Sequence, residues 1–232
     1  MRTKYPRLMS SAALGLVLAV TTGFTVAAPH TLPLNSNAFG KGYAELTADW
    51  LEWTVAIPAA SNPLLDPNGA FAAVGQSGKV WFLTGTLGGP ATRTITVPTG
   101  TAPFFPIVNF FWVNTPEYGD DPWSPAWEAH VRQDILKPIV DTAYGLILEI
   151  DGQTVSNVNS LRVSGDVGEC TLPDDNIFGI PFLPIPHECV ADGYWALLPP
   201  LSAGNHTIHF AGGIAAQNFS LDVTYNITVR GH

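Results

Sequence analysis

The 232-residue chain has few charged side chains, since Asp, Glu, Lys and Arg together make up only 12% of it. An ordinary soluble domain carries about 25%. Basic residues are the scarcest, with 10 Lys and Arg against 19 Asp and Glu and a formal charge of −9. This acidic balance excludes a general nucleic-acid binder and disfavours electrostatic attachment to anionic lipid.

The chain also lacks the composition of a helical protein. Its 22 Gly and 20 Pro argue against a coiled coil or a helical bundle. Its 46% hydrophobic residues are enough to bury a core, which excludes an intrinsically disordered chain. Because no internal repeat or linker divides the sequence, we expect an irregular lead-in over residues 28–42 and one domain over residues 43–232.

The first 27 residues have the pattern of a secretory signal peptide. Arg2, Lys4 and Arg7 form a basic start. An apolar stretch then runs from Leu8 to about Val26, and small residues place the cleavage after Ala27. An uncleaved N-terminal anchor is the alternative, since this stretch approaches the length that spans a membrane. No second run of about 18 apolar residues follows, so we expect no membrane span after cleavage and a secreted or periplasmic/extracellular protein.

Cysteine is nearly absent, and its pattern agrees with export. The only two cysteines, Cys170 and Cys189, form an even pair in a chain with a predicted signal peptide. This pattern predicts one structural disulfide bond. The 18 residues between them rule out a C-x-x-C redox unit.

The hydrophobic periodicity predicts mostly strands. Apolar residues recur at helical spacing only in Tyr43–Ile57 and in Pro125–Asp141, where Pro138 should kink or end the helix. Strands are predicted at Lys79–Gly85, Arg93–Val97, Phe104–Trp112, Leu146–Ile150, Leu161–Ser164, Tyr194–Leu198, Thr207–Phe210 and Leu221–Val229. Gly and Pro turns separate them, which favours a mainly β fold: an antiparallel, jelly-roll-like β-sandwich with one or two packed helices. An α+β arrangement is the alternative, whereas a doubly wound α/β fold would need more helices.

A series of short motifs occurs in order along most of the chain. They are W-x-x-W (50–53), N-P-x-x-D-x-x-G (62–69), G-Q-x-G-x-V-W-F-L-x-G (75–85), R-x-x-x-V-P-x-G (93–100), F-F-P-x-x-N (104–109) and D-G-Y-W (192–195). With them the sequence resembles a family of exported bacterial proteins of unassigned activity. The resemblance covers roughly residues 43–229 and implies a single exported domain, but it brings no catalytic residues with it.

Two patterns that resemble catalytic or metal motifs do not complete them. Gly75-Gln76-Ser77-Gly78 begins like the G-x-S-x-G elbow of serine hydrolases, but Lys79 takes the place of the last glycine and a strand follows, so Ser77 reads as a turn residue. His206 and His209 lie an odd number of residues apart on a predicted strand. They should therefore face opposite sides of the sheet and cannot form a metal pair.

Acidic residues cluster in two predicted loops. One contains Glu117, Asp120 and Asp121, and the other contains Asp174 and Asp175. Loop carboxylates are the ligands that Ca²⁺ favours, but neither cluster matches a known calcium-binding loop. We expect solvated acids and no cofactor, with Ca²⁺ as the alternative.

Six residues are candidates for ligand binding, because polar or aromatic side chains are expected among apolar ones. They are Asp66, Gln76, Arg93, Asn109, Trp112 and Trp123. Arg93 shares a strand face with Ile95, and its guanidinium should need a carboxylate partner such as that of Asp66. The alternative is a structural polar network, and for the tryptophans it is filling of the core.

No complete catalytic motif is found, and whether the protein is an enzyme stays open. The leading hypothesis is an exported, non-catalytic β-sandwich protein that binds a small molecule, a glycan or a surface, with carbohydrate as one candidate. One alternative is a secreted hydrolase that uses loop carboxylates such as Asp66, Asp120 or Asp174, with or without Ca²⁺. A structural component of the envelope or extracellular matrix is a further alternative.

Overall fold

A computed structural model describes residues 30–231 of the chain. The predicted signal peptide, residues 1–27, lies outside the described residues. From residue 30 to Gly42 the backbone is irregular, with one isolated bridge between Ala38 and Lys41. The predicted lead-in thus has little regular structure in its described part.

Helix α1 spans Tyr43–Ala56, close to the predicted Tyr43–Ile57. Its apolar spacing puts Leu46 and Trp50 on one face, where both are buried. The helix ends before Pro58, which could not continue the ladder of hydrogen bonds. Within residues 30–231, no helix has the length and apolar character needed to cross a membrane.

Ten strands in the described part of the chain form two five-stranded sheets. The strands are β1 (Val80–Phe82), β2 (Gly89–Pro98), β3 (Ala102–Val113), β4 (Ala143–Ile150), β5 (Gln153–Thr154), β6 (Arg162–Ser164), β7 (Gly168–Cys170), β8 (His187–Leu197), β9 (Gly204–Ile214) and β10 (Phe219–Arg230). The first sheet has the order β1-β3-β8-β6, with β7 also paired to β8; the second has the order β2-β10-β9-β4-β5. The β1–β3 and β2–β10 pairs are parallel and the others are antiparallel.

The two sheets pack face to face around the main core. Phe105 of β3 stacks on Phe210 of β9, with ring centroids 4.9 Å apart. The opposite face of the first sheet is covered by α1, where Trp50 meets Trp195 of β8 edge-on at 5.2 Å. The predicted β-sandwich with a few helices is confirmed, and the first sheet is its middle layer.

Each of the eight predicted strands overlaps an observed one, and β5 and β7 were not predicted. Both missed strands are two or three residues long, which is too short for an alternating pattern to show. The register of β3 against β8 shifts between Pro106 and Val108. A bulge at this point is consistent with the missing amide hydrogen of proline.

The second predicted helix is interrupted. It consists of α2 (Pro125–His130), a π-helical segment (Val131–Leu136) and α3 (Lys137–Val140). Pro138 has no N–H to donate to Asp134 four residues earlier, and it lies in the first turn of α3, where that N–H is not needed. The predicted disruption at Pro138 is therefore observed as a change of helix type.

The disulfide joins Cys170 on β7 to Cys189 on β8, as predicted. These strands are antiparallel neighbours, with Gly168 opposite Cys189. The bond closes the base of the loop between them, which is rich in proline and contains no strand or helix. It therefore anchors a segment that has little structure of its own.

Candidate functional site

The free edge of β3 is where the fold leaves room for a ligand. Strand β1 pairs only with Ala102–Phe104, at the beginning of β3. After Leu83, whose amide donates to the carbonyl of Phe104, the chain leaves this edge. The second half of β3 is therefore paired on one side only, by β8.

A cavity of about 350 Å³ lies beside this free edge. Its lining consists of Trp50, Leu64, Thr86, Leu87, Asn109, Phe110, Phe111, Phe178, Ile214, Gln217 and Phe219. These residues come from α1, β3, the end of β9, the 3-10 turn Ala215–Gln217, the start of β10 and three loops. Four of the lining side chains are Phe, and only Thr86, Asn109 and Gln217 carry polar groups that can orient a ligand. The volume lies at the lower end of the range for small-molecule sites, about 300–1,000 Å³.

Asn109 is the unusual member of this lining. Its Nδ2 is buried and has no hydrogen-bond partner. Asn109 lies opposite Gly193 of β8, where a Cβ would come within 2.6 Å of the Asn109 Cβ. The glycine therefore allows the two strands to approach closely at this point. A buried amide without a partner costs about 1–3 kcal/mol, so its presence calls for an explanation.

Asp66 and Arg93 belong to a hydrogen-bonded structural network and do not line the cavity. Arg93 is 1% exposed, and its Nε donates to the backbone carbonyl of Asp66 at 2.7 Å. The observed partner is therefore the backbone carbonyl of Asp66, and the expected contact with its carboxylate is corrected. That carboxylate instead accepts the amides of Asn68, Gly69 and Phe71 and shapes the turn.

Gln76 joins the turn that contains it to β1. Its amide nitrogen donates to the carbonyls of Ala72 and Phe82, and its oxygen accepts the Phe82 amide at 3.0 Å. Both ends of the side chain are therefore engaged inside the protein. Ser77 lies in the turn before β1, and no helix follows it, as the sequence predicted.

The tryptophans pack under the second helical segment. Trp112 and Trp123 contact a small core formed by Val131, Leu136 and Val190. Trp112 has a buried indole nitrogen without a partner, but it does not line the cavity. Of the six predicted ligand-binding residues, the structure places Asn109 alone at the cavity.

The acidic loops show no metal centre. Asp120 accepts the Thr115 amide at 2.7 Å, and Asp175 accepts the amide of Ala60. Across residues 30–231, no three His, Cys, Asp or Glu side chains come close enough to hold a metal ion together. A role for Ca²⁺ thus gains no support from the geometry.

The basic side chains beneath the second helical segment are neutralised by acids. Arg162 bridges Asp192, at 2.8 Å, and Asp141. The hydrogen bonds that Arg162 donates to Asp192 are the main reason why the pKa of Arg162 is raised above its ordinary value. The pKa of Asp141 is lowered, first by Lys137 and then by Arg162. This group offers little free charge to an anionic ligand.

Sequence reasoning missed most of the cavity. Phe111 follows Asn109 by two residues on β3 and could have been grouped with it. Phe178 lies in the disulfide loop and Ile214 at the end of β9, far away in sequence. No local pattern could bring these residues together, since their proximity depends on how the sheets pack.

Comparisons of the chain with protein-family models, with curated proteins and with solved structures find no match. The resemblance of the motifs to an exported bacterial family therefore stays a prediction. The function has to be inferred from the side chains of the protein itself. The apolar cavity and the unpaired amide of Asn109 are the starting point.

Proposed function

We propose that this protein binds a small, mainly apolar molecule in the cavity beside β3. The observation that carries the proposal is the unpaired Nδ2 of Asn109 in the lining of an aromatic cavity. Proteins rarely bury an amide without a partner, whereas a binding site keeps one for its ligand. A small rotation of the amide, whose terminal torsion is broad, would turn Nδ2 toward the bound molecule.

The lining defines the chemical class of the ligand. Four phenylalanines and several aliphatic side chains favour an aromatic or aliphatic body. Asn109 would donate one hydrogen bond, which requires an acceptor such as a carbonyl or ether oxygen. A free sugar needs many more polar partners than this lining offers. Carbohydrate, the candidate from the sequence, is therefore tested as the alternative ligand class.

The proposed place of action is outside the cytoplasm, in a secreted or periplasmic/extracellular protein. The N-terminal pattern of residues 1–27 supports export. The disulfide between Cys170 and Cys189 agrees with an oxidising compartment. We extend the proposal to membership of the exported bacterial family that the motifs resemble.

The test is a binding screen by thermal melting of the purified protein. The panel contains aromatic ketones, medium-chain esters and gluco-oligosaccharides, each at concentrations from micromolar to millimolar. A compound that binds the folded state at 100 times its Kd stabilises it by about 2.7 kcal/mol, which is a shift of several degrees. We expect such a shift with members of the first two classes.

Asn109→Leu separates the binding role of the amide from a structural one. Leucine keeps a similar volume but removes the unpaired polar group, so the empty variant should be more stable by about 1–3 kcal/mol. The hydrogen bond to the ligand is lost, which should weaken binding roughly 2- to 10-fold. Asn226→Leu, on the exposed face of the second sheet, is the matched control and should leave binding unchanged. A panel without shifts, or unchanged affinity in Asn109→Leu, would contradict the proposal.

A further inference from the structure

A hydroxyl, an imidazole and a carboxylate are aligned at one end of the sandwich. Ser202 lies in the exposed loop between β8 and β9, His206 lies on β9, and Asp151 follows β4. The Ser202 Oγ is 3.1 Å from Nε2 of His206. The Nδ1 of the same ring is 2.8 Å from Oδ2 of Asp151. These contacts form a continuous Ser–His–Asp relay.

The backbone holds the carboxylate in place. Asp151 has a φ of 52°, in the left-handed region, and forms the turn from β4 into β5. Its amide donates to the carbonyl of Thr207, and its Oδ1 accepts the Thr207 amide, both at 2.8 Å. Because Oδ1 accepts the Thr207 amide of β9, Oδ2 is directed to the neighbouring His206. These backbone hydrogen bonds orient the carboxylate independently of its contact with the His206 ring.

The ring is held equally well. His206 pairs with Ile227 in the ladder between β9 and β10, and its side chain is 13% exposed. Nε2 faces the Ser202 hydroxyl at 3.1 Å and the Ser202 carbonyl at 2.9 Å. In the tautomer that carries its proton on Nδ1, where Asp151 accepts it, Nε2 has a lone pair for the hydroxyl. That lone pair is what a general base needs beside a hydroxyl.

His209, on the same strand, provides an internal comparison. Its two ring nitrogens lie 3.1 Å from Glu149 and 3.0 Å from Asp222. The ring is therefore enclosed by two carboxylates and has no hydroxyl to activate. His206, by contrast, has a carboxylate at Nδ1 and a hydroxyl, together with a backbone carbonyl, at Nε2.

We propose that Ser202, His206 and Asp151 form a hydrolytic site for carboxylic esters with a short acyl group. Ser202 is the nucleophile, His206 is the general base and acid, and Asp151 is a positioning residue. Ser202, Ala203 and Gly204 are all exposed, so a short acyl group can reach the hydroxyl, but a long chain would find no cover there. The inference does not depend on the proposed binding cavity.

The first half of the reaction forms an acyl-enzyme. The Ser202 hydroxyl gives its proton to Nε2 of His206 while its Oγ bonds to the ester carbon. The carbon–oxygen bond to the alcohol then breaks, and Nε2 passes the proton to the departing alcohol oxygen. In the second half, water loses a proton to Nε2 and its oxygen bonds to the acyl carbon. The bond between the acyl carbon and Oγ then breaks, the acid leaves, and Nε2 returns the proton to Oγ.

Two features of the loop assist these steps. The backbone carbonyl of Ser202 lies 2.9 Å from Nε2, so it can accept a hydrogen bond from the ring while the ring is protonated. In the described part of the chain, the amides of Ser202 and Ala203 donate to no other group, which leaves them free for the developing oxyanion. Pro199 and Pro200 precede them and restrict the loop.

The test uses a fluorophosphonate, which transfers its phosphorus to an activated serine with loss of fluoride. Intact mass and peptide mapping should show one adduct, on Ser202. Ser202→Ala and His206→Gln should abolish it, and Asp151→Asn should slow labelling by about 100-fold or more. Ser220→Ala, at another exposed serine, should be labelled like the wild type. Hydrolysis of p-nitrophenyl acetate should follow the same order.

The Ser202→Ala variant also separates catalysis from a structural clamp. It keeps the carbonyl contact to His206, so the fold should survive, and circular dichroism with a melting curve checks this. A folded Ser202→Ala that hydrolyses the ester as fast as the wild type would overturn the proposal. So would adducts spread over exposed serines without preference for Ser202. Either result would mean that the three residues only tie the loop to the sheet.

Discussion

Arg93 is buried at the centre of a network of hydrogen bonds, and its replacement tests what this network contributes to the stability of the fold. Its guanidinium donates to the carbonyls of Asp66 at 2.7 Å, Thr84 at 2.6 Å and Gly85 at 2.9 Å, and to the Tyr225 hydroxyl at 2.6 Å. The same group lies 5.3 Å from the centre of the Tyr225 ring. Arg93→Met keeps the apolar part of the side chain and removes every donor.

The cost follows from the carbonyls that are left behind. Thr84 keeps a donor, because the hydroxyl of Tyr225 reaches its carbonyl at 2.8 Å. The carbonyls of Asp66 and Gly85 lose the guanidinium that serves them. At about 1–3 kcal/mol for each unsatisfied group, the variant should lose about 2–6 kcal/mol of unfolding free energy. That is about two fifths of the 5–15 kcal/mol typical of a folded domain.

The assay is urea unfolding followed by tryptophan fluorescence. The midpoint should fall while the slope of the free energy against urea stays the same. Thr92→Met, on the exposed face of the same strand, is the control and should change the free energy by less than about 0.5 kcal/mol. A loss below about 1 kcal/mol in Arg93→Met would refute the reasoning, since the carbonyls would then have found other donors.

Three further predictions concern a tyrosine, the disulfide and a glycine. Burial raises the pKa of Tyr43 to about 12 from 10.0, so the stability from its neutral form is fully present below pH 10.0 and should be lost progressively as the pH rises toward about 12. Urea titrations at pH 9 and 11 should show the beginning of this loss, and Tyr43→Phe should remove it. Reduction of the Cys170–Cys189 bond should cost about 3 kcal/mol and lower the melting temperature, and an unchanged melt after verified reduction would contradict this. Gly193→Ala would bring a Cβ within 2.5 Å of the Val108 carbonyl oxygen and should lower the free energy of unfolding by about 1–3 kcal/mol or more. Gly231→Ala is the control: a Cβ there meets open space, so the same urea assay should show no change.

The hydrophobic pattern was enough to predict the fold class. Alternation or continuous apolar runs identified eight strands, and the spacing in Tyr43–Ile57 identified α1, because these patterns reflect which face of an element is buried. Single residues with one dominant physical property were equally informative. Pro58 ends a helix and Pro106 accompanies a bulge, since proline lacks an amide hydrogen wherever it stands.

The polar residues were harder to interpret from the sequence. Arg93 and Gln76 could be recognised as buried polar groups, but their partners are backbone carbonyls, which every residue carries and no sequence pattern marks. Asn109 has the same surroundings in the sequence, yet its Nδ2 finds no partner. Only the packing of the strands separates a satisfied buried group from an unsatisfied one.

By itself, the sequence determined the β-rich class, the predicted export pattern and the disulfide pairing of its only two cysteines. Each of these depends on a local pattern or on the composition of the whole chain. The tertiary structure decided which distant residues meet. Phe111 and Phe178 share one cavity, and Asp151, Ser202 and His206 align at one end of the sandwich, because two sheets pack and their turns converge there. Hydrogen-bond geometry within about 3 Å depends on that packing and cannot be read from spacing along the chain.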